Sequence, residues 1–321
     1  MTVENQGNFQ VGTTEIRRVA MITNPAAGKG EAVHAAQKAR QRFSELGIDV
    51  VSLQGASAES SLQLAEAAVV DERIDALVVA GGDGLINLAL QAQAHTDMPL
   101  GIIPAGTGND HAREYNIPTG DPVRAAEIIA DGFWTTTDLG LITEYETNEA
   151  SEPSGSRWFG TISCAGFDSL VTDRSNALTW PKGKSRYSVA IFAEVLNWKA
   201  TPTRIVLDHE IELNDPIILC SIGNTRTYGG GMKICPRANH HDGLLDLTIM
   251  EDIGRLQALP RFSHILKGTL TPGDGISMYR AKHVRIEMPK MNCYADGDLM
   301  ATLPIELEAV PGAGRYLVPR P

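Results

Sequence analysis

The sequence predicts two joined parts: an α/β region built on a parallel sheet, then a mostly antiparallel β region of the sandwich type. Three observations lead there. From Arg17 to about Gly132, short apolar runs alternate with stretches of helical periodicity, the pattern of a parallel sheet covered by helices. Past Trp134 the texture changes to strand-length apolar segments separated by turn residues, which suits antiparallel pairing. The 321 residues also exceed what one core usually fills. We place the first region at 17–137 and the second at 138–310, with 311–321 free to pack back on the first.

The elements follow in order. Residues 18–23 are a first strand, and 31–46 a helix with Val33, Ala36, Ala39, Phe43 and Leu46 on one face and Gly47 placed to end it. Residues 48–53 form a second strand, after which Ser57 can cap a helix bearing Leu62, Ala65 and Val69. Leu77 to Ala80 is a continuous apolar run suited to a strand buried on both faces. The run stops at Gly81, Gly82, Asp83 and Gly84, and Ile86, Ala89 and Leu90 then recur at helical spacing. Residues 100–103 form a strand ending in a loop at 104–110, and Asp121-Pro122 opens the last helix of the region. In the second region strands are expected at 134–142, 158–165, 204–213, 216–223, 244–250, 283–288 and 305–310, with helices at 185–198 and 253–267. The polar stretch 143–157 reads as a surface loop.

Composition narrows the function. A net charge of −11 argues against general nucleic-acid binding, which draws on cations neutralising phosphates. No apolar run approaches the length of a membrane span, and the polar first fifteen residues lack a signal-peptide core, so a cytoplasmic location is expected. Cys164, Cys220, Cys235 and Cys293 sit far apart in apolar contexts and read as reduced core thiols.

The glycine loop carries the chemistry. Gly81, Gly82 and Gly84 let backbone N–H groups approach an anion at a helix N-terminus; the alternative is a plain turn. Asn24-Pro-Ala-Ala-Gly-Lys-Gly30 follows the first strand in the same way, and two such loops at neighbouring strand ends fit a nucleotide. Asp296-Gly297-Asp298 offers two carboxylates, and Asp242-Gly243 reads on its own as a hairpin turn. His240 and His241 beside it read as solvated loop residues. Gly229 to Met232 reads either as the wall of a ligand entrance or as a tight bend.

Asn24-Pro-x-x-Gly-x-Gly30, Gly81-Gly-Asp-Gly84, Pro104-Ala-Gly-Thr-Gly-Asn-Asp110, Tyr228-Gly-Gly-Gly-Met232, Asp242-Gly-Leu-Leu-Asp246 and Asp296-Gly-Asp298 occur in the order seen in the diacylglycerol kinase-like lipid kinases. The chain resembles a bacterial soluble member of that family across about 18–318. The resemblance implies an N-terminal domain like those of NAD kinase and phosphofructokinase, a C-terminal β-sandwich, and ATP bound between them. It implies ATP contacts at Asn24, Pro25, Ala26, Ala27, Gly28, Gly81, Gly82, Asp83, Gly84, Leu85, Ile86, Asn87 and Thr107. Mg²⁺ is implied at Asp242, Asn239 and Leu244, with Asp110 as a further candidate, and Asp298 is the implied general base with Asp296 orienting it.

Three departures from the family pattern stand out: Gly55 and Leu85 where threonine is common, and Asp298 where glutamate is usual. The expected reaction is ATP- and Mg²⁺-dependent phosphorylation of a lipid hydroxyl, that of diacylglycerol first, at the inner face of the membrane. An NAD kinase-like enzyme and a catalytically weak lipid or nucleotide sensor are the alternatives. Trp180-Pro-Lys-Gly-Lys-Ser-Arg-Tyr187 and the stripe Val189, Phe192, Val195 and Leu196 suit either a membrane surface or packing on the sandwich. A homodimer through the β-rich part is compatible with the sequence, and no stripe marks its interface.

Overall fold

The chain enters through two strands that the hydrophobic pattern does not announce, β1 (Glu4–Gln6) and β2 (Phe9–Thr13), paired antiparallel. The computed structural model describes residues 4–6, 9–23, 31–148, 152–178, 180, 184–289 and 291–321. Strand and helix then alternate as expected: β3 (Arg18–Thr23), α1 (Glu31–Glu45), β4 (Asp49–Leu53), α2 (Ala58–Val69), β5 (Ala76–Gly81), α3 (Asp83–Gln93), β6 (Leu100–Pro104), α4 (Asp110–Glu114) and α5 (Pro122–Asp131). Strands β4, β3, β5 and β6 lie side by side in parallel. Central β5 is buried at every position, as two helix-covered faces require.

Local chemistry sets the helix ends. Ser57 and Ser60 form a reciprocal capping box at α2, each hydroxyl accepting the other's N–H. Gly55 has no room for a side chain, since a β-carbon there would stand 2.4 Å from the Ser61 nitrogen. Asp121 caps α5, with Pro122 in the first turn, and Gly47 takes φ +75° just past the end of α1.

The second region comprises β7 (Phe133–Tyr145), β8 (Pro153–Phe159), β9 (Ile162–Gly166), α6 (Phe167–Ala177), α7 (Lys184–Leu196), β10 (Arg204–Leu207), β11 (Ile211–Leu213), β12 (Ile217–Gly223), β13 (Leu245–Glu251), α8 (Arg255–Lys267), β14 (Ile276–Ala281), β15 (His283–Glu287), β16 (Asn292–Ala295), β17 (Asp298–Thr302) and β18 (Ile305–Leu317). Several expectations need correcting. The stretch 143–157 is no free loop: β7 continues through Tyr145, and β8 returns antiparallel along it from Pro153. The expected strand 158–165 breaks at Gly160 and Thr161, whose N–H groups turn aside to a buried carboxylate. The segment 204–213 is a hairpin because Asp208 and His209 take left-handed φ of 49° and 61°. Helix α6 was not anticipated, because polar Asp168, Ser169 and Ser175 are buried along with Phe167 and Val171 and blur its apolar stripe.

Among the described residues the strands form two sheets. Strands β14, β13, β12, β9, β16 and β17 make the six-stranded one. Its sides alternate along β13: Leu245, Leu247 and Ile249 face a core shared with Ile205, Val284, Ile305 and Leu307 of the opposing sheet, while Met250 faces a core with Phe167, Ala190 and Ala258 of α6, α7 and α8. The result is a β-sandwich with helices on its outer side. The long strand β18 runs antiparallel to β7 and ends parallel to β6, at Tyr316 beside Leu100. Ala313, Tyr316 and Leu317 therefore complete the core of the N-terminal α/β domain.

Candidate active site

Strand β5 delivers Gly81 and Gly82 to the N-terminus of α3, where Gly82 is the cap residue and Asp83 and Gly84 start the first turn. The second loop lies directly on the first. A β-carbon on Gly106 would stand 2.4 Å from the Gly82 α-carbon, so only glycine allows this approach. Asn109, at φ 53°, locks the second loop by accepting the Gly106 N–H at 2.8 Å and donating to the Gly106 carbonyl at 2.9 Å. Thr107 is thereby left exposed at the mouth. Leu85 folds back over Gly81 and packs on the core, so no hydroxyl-bearing side chain stands at that place in the loop. Ile86 is likewise buried in the core.

The turn between β16 and β17 brings two carboxylates to this loop. Asp296, at φ 52°, is wholly enclosed. Its oxygens accept the Gly160 N–H at 2.8 Å, the Thr161 N–H at 2.8 Å, the Thr161 hydroxyl and Asn87 Nδ2 at 2.8 Å. Asn87 thus spends its amide on Asp296 and on the Trp158 carbonyl rather than pointing into the open cleft. Behind it lies His111, fully buried, with Nδ1 3.3 Å from Asp83 Oδ1 and Nε2 3.9 Å from Asp296 Oδ2. Burial opposes charge on this imidazole, but Asp296 and Asp83 outweigh it and raise its pKa. The same ring, against the burial of Asp83, holds that carboxyl below its usual range.

Asp298 meets a different environment. Its carboxylate rests on Gly84, where a β-carbon would come within 2.5 Å of Oδ2, while the residue stays open to solvent on its other side. Crowding by the surrounding protein raises its pKa and the charge of Asp296 adds to this; Arg157 pulls the other way. A carboxylate of lifted basicity, one glycine from a helix N-terminus, is suited to take a proton from a hydroxyl beside a bound phosphate.

The metal candidates are placed as follows. Asp110 opens α4 and reaches across to the tight bend after Tyr228, where Gly230 and Gly231 each donate an N–H to it at 2.9 Å. Burial raises its pKa and the nearby Asp83 carboxylate adds to the rise. Asp242 lies on a loop held by Asp138, accepts the Leu244 N–H at 3.1 Å and is ion-paired with Arg280. The Asn239 carbonyl faces inward to the Asp242 N–H at 3.4 Å. A cation at Asp242 has to share it with Arg280. Asp110 and Asp242 do not form a common cluster, and among the described residues no three His, Cys, Asp or Glu side chains are grouped to hold a metal. Asn24, Pro25, Ala26, Ala27 and Gly28 lie outside the described residues. His240 and His241 are not solvated: His240 packs on Tyr115 and lies 3.5 Å from Glu114, and His241 meets the Thr136 carbonyl at 3.1 Å.

Residues 18–142 match the diacylglycerol kinase catalytic domain, and 160–318 match the YegS C-terminal NAD kinase beta sandwich-like domain. The chain is 47% identical to a diacylglycerol kinase of Mycobacterium tuberculosis over 311 residues, covering 97% of this chain and 98% of that protein. It belongs to the diacylglycerol kinase family. A diacylglycerol kinase of Bacillus subtilis is 26% identical over 295 residues, 91% of this chain and 93% of that one. In fold, the kinase resembles a crystal structure of a diacylglycerol kinase from Bacillus anthracis, with TM-score 0.71 and 19% identity over 95% of this chain and 98% of that one. It also resembles yeast NADH kinase, with TM-score 0.57 and 11% identity over 99% of this chain and 89% of that one. The kinase is thus a lipid kinase with an α/β domain and a β-sandwich domain.

Sequence reasoning missed two groups in this candidate site. His111 follows Asp110 without any periodic signal, and its partner Asp296 is 185 positions away, so only the fold makes the pair visible. Gly160 was also missed, although a β-carbon there would stand 2.4 Å from His111 Nε2.

Proposed function

We propose that this lipid kinase transfers the γ-phosphoryl group of ATP to the hydroxyl of a diacylglycerol-like lipid, giving phosphatidic acid and ADP. The observation that carries the reading is the seat of the Asp298 carboxylate on Gly84, which sets a proton acceptor from the C-terminal sheet on the N-terminal glycine loop. As the bond between the acceptor oxygen and phosphorus forms, the bond from phosphorus to the bridging oxygen of ADP breaks, and the hydroxyl proton passes to Asp298. The amides at the start of α3 receive phosphate oxygens, and exposed Thr107 borders the nucleotide. Asp296 does not move protons in this scheme. With four donors fixed on it, it positions the turn that presents Asp298.

Mg²⁺ fits the donors present. Asp83 and Asp110 each bring a carboxylate oxygen to 3.0 Å from the point a β-carbon on Gly108 would take, an all-oxygen pair of like charge that a hard cation prefers. When bound, the ion supplies neutralisation of phosphate charge. In this reading the lipid is met at the inner membrane surface; no helix among the described residues is long and apolar enough to cross a membrane. Exposed Trp180, Phe192 and Leu196 support that docking. The domain limits 17–137 and 138–310 remain our division, with β18 shared between them.

The test is purified protein with ATP and Mg²⁺ against diacylglycerol, sphingosine and NAD in mixed micelles. Transfer to diacylglycerol is expected. Transfer to NAD alone overturns the lipid acceptor, and tight ATP binding without transfer to any acceptor points to a sensor.

A further inference from the structure

Strand β8 carries a cation to the base. The strand is pinned to α3: the Trp158 carbonyl accepts Asn87 Nδ2 at 2.9 Å and Gln91 Nε2 at 2.8 Å, and its N–H donates to Gln91 Oε1 at 2.9 Å. One residue earlier, Arg157 is exposed and donates from Nη1 to the Leu299 carbonyl at 3.3 Å, beside Asp298. Its charge acts on the Asp298 carboxylate directly. Other arginines near the cleft are committed to carboxylates: Arg226 to Glu114, and Arg280 to Asp242 and Asp246. Arg113 donates to the Gly108 carbonyl at 3.0 Å, on the opposite lip. Arg157 has no salt-bridge partner among the described residues, and it stands where α3, β17 and β8 converge.

We propose that Arg157 is an anion-holding residue on the acceptor side of the cleft, gripping a phosphate oxyanion beside Asp298. The inference rests on Asp298 being the base. A planar guanidinium offers paired donors that match phosphate oxygens. It also supplies positive charge where phosphoryl transfer spreads negative charge. The oxyanion is either the transferred phosphoryl group or the headgroup phosphate of a neighbouring lipid.

The experiment compares the parent, Arg157→Ala and Arg157→Lys in two media: diacylglycerol in nonionic micelles, and diacylglycerol in phosphatidylglycerol-containing vesicles. Equilibrium binding of phosphatidic acid in nonionic micelles is measured alongside, because it needs no turnover. The side chain is exposed, so the variants fold. If the transferred group is held, Arg157→Ala lowers kcat about 100-fold in both media. Affinity for phosphatidic acid then falls about 10-fold, and lysine restores part of each. If a headgroup is held, the loss is confined to the anionic vesicles. Parent-like kcat and KM in both media, together with parent-like phosphatidic acid affinity in the micelles, overturn the proposal. A parent protein that phosphorylates no lipid overturns the lipid acceptor and the Asp298 role instead, and the binding arm still decides Arg157.

Discussion

Two carboxylates two residues apart meet opposite surroundings in this kinase. Asp296 is closed in by four donors, whereas Asp298 faces solvent with one flank on Gly84. Asp298→Asn removes the proton acceptor and leaves the glycine loop untouched. Steady-state assays are expected to show kcat lowered about 100- to 10,000-fold, with KM for ATP nearly unchanged. Unchanged turnover removes Asp298 from the role of base. Because the Asp298 pKa is raised, the acid limb of the kcat profile is expected above the usual aspartate value of about 4. A further residue-scale prediction concerns Asp168, buried at the start of α6 against the Tyr228 hydroxyl at 3.0 Å, with its pKa lifted by burial to about 6. A carboxyl whose folded pKa is raised binds its proton more tightly in the native state. It therefore costs nothing below about pH 4 and destabilises increasingly up to about pH 6, by about 2 to 3 kcal/mol above that. Asp168→Asn is expected to be the more stable protein in denaturant titrations at pH 7.5, with the advantage gone by pH 4. An advantage that persists at pH 4 excludes ionisation as the cause.

At the scale of elements, the glycine loop works by contact. Gly84→Ala drives a β-carbon toward Asp298 Oδ2, so the Asp298 carboxylate must retreat from its seat on α3. A retreat of about 1 Å is expected to cost on the order of 100-fold in kcat, and parent-like kcat in this variant shows that the base does not work from that seat. Asp110→Ala frees the bend at Gly230 and Gly231, and hydrogen exchange should quicken at those two amides relative to Ile249 in β13. What the sequence reveals of these elements follows the reach of the forces. Strand β5 and helix α3 are legible because their burial is written in their own apolar order. Strand β8 is not, since residues 153–157 are exposed and carry no apolar alternation, and its strand geometry comes from β7, its antiparallel partner. The glycine motifs mark the loops, but their mutual contact at Gly82 and Gly106 depends on two strands lying side by side. His111 and Asp296 depend on the meeting of two domains.

At the scale of the molecule, β18 joins the two domains. Its first half lines the sandwich through Ile305 and Leu307, and its second half fills the α/β core with Ala313, Tyr316 and Leu317. Tyr316 is fully buried and stacks on Tyr115 with ring centroids 4.2 Å apart. Tyr316→Ala is expected to cost about 3 to 5 kcal/mol and, because the strand is shared, to lower both domains together as one calorimetric transition. Two separate transitions would show that the domains unfold independently.

The same strand has a consequence for vectorial synthesis. While the ribosome is still making the sandwich, the parallel sheet already has β3 to β6, yet the edge of β6 stays unpaired and the slot for Tyr316 stays empty. The domain made first is therefore the one finished last, and the nascent chain carries an open sheet edge until β18 emerges.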